Sequence, residues 1–312
     1  MVYHEIRMVN EKRMNYLIYN QRDKGKWKKT SRFIGNGDLQ KSEVDRLKKK
    51  FEIELKVKDY EYLKKEQVLE IEQLKEIYNK SIKKLSKEEF VKFERSFFTE
   101  LTYNSNAIEG NSMSLEETSI VINENLSPDG KTIREIYEAK NHIKALDFIK
   151  NYKGDINELF ILKVHSIILN DISEHFAGRY RENPVRVIGS DFKFPSPEKI
   201  PQLIRNLLYW YNQNKRGMHA LELAVIFSMK FVSIHPFVDG NGRVSRLLMN
   251  FILQKKKYPW INVYNKQRQK YLGAVRKANE ENYEIILKFL IETIKENMIN
   301  FEFLDNDSYK KE

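Results

Sequence analysis

A run of twelve residues, His235-Pro236-Phe237-Val238-Asp239-Gly240-Asn241-Gly242-Arg243-Val244-Ser245-Arg246, gathers groups suited to chemistry on a phosphate. Gly240 and Gly242 let backbone N–H groups turn toward a common point, and a helix N-terminus follows directly. Together these make an anion site. Arg243 and Arg246 are three apart and lie on adjacent turns of one face. Two guanidinium groups suit a triphosphate better than a monoanion. Asp239 offers a hard oxygen that, with phosphate oxygens, can hold Mg²⁺. A neutral imidazole at His235 can take a proton from a hydroxyl. Each piece alone is ordinary: a His before Pro is usually structural, Gly-Asn-Gly is a turn, and an Arg pair is usually a solvated face. Their conjunction in order, within one short segment, is not ordinary. Zinc fits poorly, because the six histidines (4, 142, 165, 175, 219 and 235) show no paired spacing and there is no cysteine.

Two helices must position this loop. An apolar segment, 221–234, precedes it, and Pro236 cannot continue that helix. A second helix follows from Arg243. Capping boxes at Ser86/Glu89, Ser114/Glu117 and Thr132/Glu135 mark three further helix starts. Apolar spacing predicts helices over 41–55 and 66–85, and near 156–172, 197–214, 218–234, 242–256, 266–279 and 281–300. Two stretches differ. Alternation around Met14, Tyr16 and Ile18, a turn at Lys24-Gly25-Lys26 and an extended run 27–34 predict a β-hairpin unit over 1–37. A lone hairpin is marginal in water and needs a neighbour. Residues 179–197, with Gly189-Ser190-Asp191 at the centre, predict a short second hairpin. The fold class is therefore mainly α, with a basic β-hairpin plus helices over 1–85, a helical domain over 86–302 and a polar tail over 303–312. The boundary between the first two falls between 60 and 86.

Composition narrows the classes. No apolar run approaches the ~20 residues that span a bilayer. The N-terminus has no apolar core after a basic start, which argues against a signal peptide. Absence of cysteine excludes disulfides and thiolate catalysis. The expected location is the cytoplasm, with no membrane partner. Net charge is +11, and residues 1–50 carry 14 Lys+Arg against 6 Asp+Glu. A solvated basic surface is the favoured account of that excess. The other is nucleic acid, since Tyr16, Tyr19, Trp27 and Phe33 are interleaved with cations and aromatics can stack bases. The aromatics are expected instead to form the hairpin's own core.

At 235–246 the sequence resembles the Fic family, whose motif is His-Pro-Phe-x-Asp/Glu-Gly-Asn-Gly-Arg-x-x-Arg, at every fixed position. Gly178-Arg179-Tyr180-Arg181 and the following segment look like that family's flap, and Lys266-x-Arg268-x-x-Tyr271 like the start of its next helix. The resemblance covers roughly 90–290. It implies a Fic-type helical domain with a β-hairpin flap, and a protein adenylyltransferase that moves AMP from ATP to a Ser, Thr or Tyr hydroxyl of a protein. His235 would be the base and Asp239 would hold Mg²⁺. Gly240, Asn241 and Gly242 would line the anion hole, and Arg243 and Arg246 would hold the outer phosphates. Val185, Arg186, Val187, Ile188 and Gly189 would align the target by strand addition. Tyr271 would stack on adenine or be a core aromatic.

Ser105-Asn106-Ala107-Ile108-Glu109-Gly110 lies far upstream. Alone it is helix surface ended by a glycine. Beside the first motif it resembles the Fic inhibitory motif, in the class whose inhibitory helix is N-terminal. That implies autoinhibition: Glu109 would pair with Arg246, and Ser105 would hold the helix to the core. The same glutamate could orient water for removal of AMP from a modified protein. The chain could also transfer a different phosphate-linked group, or be a nucleic-acid-binding regulator on an idle Fic fold. Self-modification and homodimerisation stay open, and no residue names the target.

Overall fold

Three strands, rather than two, form the N-terminal sheet. They are β1 (Val2–Val9), β2 (Lys12–Asp23) and β3 (Lys26–Asn36), antiparallel in that order. The extra strand is joined by Asn10-Glu11, both at positive φ (49° and 60°). Such two-residue turns are usually signalled by Asn-Gly, so a glutamate at the second position hides this one. The computed structural model describes the chain apart from residues 1, 24, 187–191 and 307–312; of residues 23 and 299–306 it describes the backbone alone.

One face of the sheet is closed by α1 (Lys41–Lys56). Val2, Leu17 and Phe51 form the core there, with Tyr19, Ile34, Leu47 and Leu55 around it. A bulge between Asn15 and Tyr16 turns the buried Asn15 toward Gly35 and Gly37, whose carbonyls accept from its Nδ2 at 3.1 and 2.8 Å. A buried amide satisfied in this way holds one strand register against slippage.

The chain divides into two compact units, Met1–Glu76 and Ile77–Glu312, within α2 (Lys65–Lys84). The second unit is helical. α3 (Lys87–Ile108), α4 (Leu115–Ser119) and α5 (Ile133–Asn151) each begin on a complete capping box, at Ser86, Ser114 and Thr132. α4 widens into a π-helical turn, Ile120–Glu124, ended by Asn125 in the left-handed region. Then come α6 (Glu158–Ile168), α7 (Ile200–Asn214), α8 (Ala220–Ile234), α9 (Asn241–Lys255), α10 (Arg268–Ala278) and α11 (Tyr283–Asn306). α11 continues past 302, where a polar tail is expected from the sequence.

α8 lies at the centre. Leu221, Leu223, Ala224, Val225, Ile226 and Phe227 are all buried, so the helix has no solvent face. It packs on α7, α9 and α11, while α9 also meets α3, α5 and α6. The 235–240 loop joins these two central helices and therefore stands on rigid, buried supports. Residues 184–186 and 192–196 have no regular secondary structure, so the expected flap hairpin does not appear among the described residues. Val187, Ile188 and Gly189 lie outside them. Among the described residues no helix is long and apolar enough to cross a membrane.

Candidate active site

His235 ends α8 in the left-handed region, φ 50° and ψ 60°. Its backbone N–H still closes on the Phe231 carbonyl at 3.1 Å. This is the usual stop of a helix, made here by a histidine instead of a glycine, and Pro236 completes it. The imidazole lies 4.4 Å from the Phe194 ring, centroid to centroid. Burial drives its pKa down to about 4, against the pull of the Val232 carbonyl. The ring is neutral at pH 7 and free to accept a proton.

Three side chains hold the loop in shape. Asn241 bonds Phe237 twice, accepting from its N–H at 3.0 Å and donating to its carbonyl at 2.8 Å. His165, on α6, stacks flat on Phe237 with centroids 3.6 Å apart. The Gly178 N–H donates to its Nδ1 at 3.0 Å, which leaves the proton on Nε2, facing the Asp239 carbonyl at 3.1 Å. Arg181 is almost wholly buried and reaches the carbonyls of His235 (2.8 Å), Asn183 (3.0 Å) and Pro195 (2.5 Å). It ties Asn183 and Pro195 to the residue that carries the base. Arg181→Ala strands these carbonyls and is expected to cost about 3 kcal/mol. Thermal unfolding should drop by roughly 6–12 °C; an unchanged Tm would exclude the role.

The charged groups form two clusters. In the first, Asp239 accepts from the Gly240 N–H at 2.6 Å, meets Arg243 at 3.1 Å and meets Arg134 of α5 at 2.6 Å. Burial alone would raise its pKa, but Arg243, the Gly240 amide and Arg134 hold it below the usual carboxylate range. Arg243 is buried and also pairs with Glu138 at 3.2 Å. Nη1 is the arm that meets Glu138, and Nε has no hydrogen-bond acceptor among the described residues. Buried donors of a charged group left in that state cost free energy that an incoming oxyanion recovers. No group of three or more metal-ligating side chains is present among the described residues. Asp239 alone fits a divalent cation as one hard-oxygen ligand. Its outer neighbour, Arg134, is an exposed arm that can give way, and phosphate oxygens would complete the shell.

The second cluster sits at the start of α9. Arg246 is buried, and donates to Glu109 Oε1 at 2.8 Å, to the Ser105 carbonyl at 2.8 Å and to Ser105 Oγ at 3.1 Å. Glu109 caps the C-terminal end of α3, just before Gly110, which turns the chain at φ 105°. Its carboxylate lies so close over Gly242 that a Cβ there would stand 2.2 Å from Oε1. Any side chain there would have to push the tip of Glu109 aside. Thus an acidic group already fills the space in front of the first turn of α9. The end of α3 is fixed from α10 by Arg268, which donates to the Ile108 carbonyl at 2.7 Å. Tyr271, on the same helix, is buried: it packs on Phe289, and the Arg246 guanidinium carbon lies 5.9 Å from its ring.

Residues 155–253 match the Fic/DOC family. That match covers just under a third of the chain. Protein adenylyltransferase Fic of Drosophila melanogaster is 34% identical over 196 residues, which is 60% of this chain and 39% of that protein. The Drosophila virilis protein of the same name gives the same figures. The chain thus spans well under half the length of the curated relatives it matches. Among solved structures, a Fic domain containing signaling protein from Bacteroides thetaiotaomicron superposes with a TM-score of 0.69 at 26% identity, over 78% of this chain and 99% of that one. C. elegans Fic-1, residues 134–508, superposes with a TM-score of 0.68 at 23% identity, over 87% and 80%, and shares the fold.

His165, Arg181, Glu138 and Arg134 brace the loop and its charges, yet the sequence marks none of them as a site residue. Arg181 alone carries a signal, within Gly178-Arg179-Tyr180-Arg181. The others lie up to about a hundred residues from the loop on ordinary helical faces, and only the packing of α5 and α6 on α9 brings them in.

Burial of histidines also predicts a pH dependence. His142 is driven to about 3 by burial, with Arg246 and Arg243 adding to it, and His165 to about 4 by burial. With His235, all three are lower in the folded protein than in the unfolded chain, so folding favours their neutral forms. Their contribution is complete above about pH 6.5 and is lost as pH falls toward 4. Each steepens the loss by about 1.4 kcal/mol per pH unit. Denaturant midpoints should therefore fall markedly between pH 7 and 4.5; a flat profile would contradict this.

Proposed function

We propose that the protein transfers AMP from ATP to a Ser, Thr or Tyr hydroxyl of a protein, and that the transfer is held in check by Glu109. The observation that carries this reading is the carboxylate of Glu109 against Gly242, paired with Arg246 at 2.8 Å. An anion's place is built at the start of α9, and an anion from the same chain fills it.

His235 takes the proton of the acceptor hydroxyl. The oxygen attacks the α-phosphorus, the bond to the β-phosphate oxygen breaks, and pyrophosphate leaves. Backbone groups at Gly240, Asn241 and Gly242, with the helix start, stabilise the charge that develops. Arg243 lends its charge to the phosphates, and Arg246 holds the outermost phosphate once Glu109 has left. Asp239 would hold Mg²⁺, which arrives with the nucleotide and offsets its charge. The rest of the catalysis is positioning, as phosphoryl chemistry generally is. Residues 185–189 dock the target segment through its backbone. The 34% identity to proteins named protein adenylyltransferase supports this assignment.

Incubating the purified chain with a protein lysate and either α- or γ-labelled ATP tests it. Label on protein from the α position, lost in His235→Ala, is the expected result. Label from the γ position alone would mean phosphate transfer and would overturn the proposal.

A further inference from the structure

The N-terminal sheet carries a second surface with a chemistry unrelated to the loop at His235. Beyond the core that α1 closes, the β2–β3 hairpin presents its other face. Strand register places Arg22 opposite Trp27, Asn20 opposite Lys29, Ile18 opposite Ser31 and Tyr16 opposite Phe33 on that side; Ile18, between the exposed aromatics, is itself fully buried, so the exposed rings stand at the two ends of the row. Trp27 is 73% exposed and Phe33 is 46% exposed. Phe33 leans on Tyr16, with centroids 5.5 Å apart, and the Arg7 guanidinium sits 4.4 Å over the Tyr16 ring. The expectation that these aromatics build the hairpin's own core therefore holds for Tyr19 and fails for Trp27.

Charge on the same hairpin is one-sided. Residues 20–33 contain six Lys or Arg and one acidic residue, Asp23. Glu5, the carboxylate on the aromatic face, is already neutralised by Arg7 at 2.6 Å and Lys29 at 3.3 Å. Among the described residues Arg22, Lys26 and Lys28 have no acidic partner. β3 is a sheet edge, and lysines on an edge strand suppress pairing with other chains. That function accounts for the lysines but not for a tryptophan left in water between them, which works against it.

We infer that this face binds single-stranded nucleic acid. Bases would stack on Trp27 and Phe33, about 20 Å apart along β3, while phosphates meet Arg22, Lys29 and the lysines beside them. Stacking platforms set in a basic groove are the general means of holding single strands without reading sequence. A duplex keeps its base faces covered and cannot use the exposed rings.

The test uses the full chain and an end-labelled oligothymidylate of about 20 nucleotides, followed by anisotropy and tryptophan fluorescence across a salt series. Binding should weaken with salt, and quench tryptophan emission. Trp27→Ala should weaken it about tenfold. Arg22→Glu with Lys29→Glu should weaken it further and flatten the salt slope by about one unit. These side chains are exposed, so unchanged circular dichroism and Tm will show that the variants fold. No binding at 50 mM salt, equal binding of polyglutamate, binding of duplex alone, or a Trp27→Ala variant as tight as the parent would each overturn the inference.

Discussion

Replacing Glu109 by glycine should raise the initial rate of AMP transfer roughly 5- to 150-fold, the range open to a coupling of 1–3 kcal/mol. The ion pair with Arg246 is about two-fifths exposed on the glutamate side, so its own strength is modest. Its leverage comes from position. The carboxylate fills the space over Gly242 and claims one arm of Arg246, and a nucleotide must displace it or bind out of line. In Glu109→Gly the arginine keeps both Ser105 bonds and stays in place, so the site opens without collapsing. Glu109→Gln separates the two effects: it retains bulk but loses charge, and should fall between parent and glycine variant. The measurement is transfer of label from α-labelled ATP to protein. A folded Glu109→Gly variant with equal or lower transfer would sink the restraint while leaving the transfer itself standing.

His235→Ala should lower transfer by 10²- to 10⁴-fold, the usual contribution of a positioned general base. The loss should appear in kcat rather than in nucleotide affinity, since the phosphates are held by α9 and its arginines. The pH dependence gives a finer check. With a pKa of about 4 in the closed state, the ring is an acceptor throughout the neutral range, so kcat/KM should stay level from pH 8 down to about 5. In Glu109→Gly one nearby negative charge that raises the His235 pKa is removed. The acid limb should then move to lower pH. An activity that rises as pH falls from 8 to 6 would mean that His235 works in its charged form, contrary to the mechanism proposed.

The Glu109–Arg246 contact links residues 137 apart in the chain. Resemblance to a family makes that pair readable in the sequence; spacing alone does not, because a Ser and a Glu four apart are ordinary on any helix. Tyr271 shows the opposite case. Its place in a motif leaves adenine stacking and core packing equally open, and only the fold shows its ring buried beside Phe289. The third strand is hidden in the sequence because its turn is Asn10-Glu11, where the positive φ is borne by a pair that lacks the usual glycine.

By itself the sequence determined what is settled between near neighbours. The starts of α3, α4 and α5 close by hydrogen bonds across three residues, at Ser86, Ser114 and Thr132, and the loop at 235–246 carries its base, its glycines and its arginines within one short segment. Tertiary structure decided which partner each charge meets. Arg243 and Arg246 sit three residues apart on one helix, yet one faces Glu138 and Asp239 and the other Ser105 and Glu109. A buried charge must find a counter-charge or an acceptor, and where it finds one depends on which helices pack beside it. Periodicity says that a face is covered, and it does not say by what.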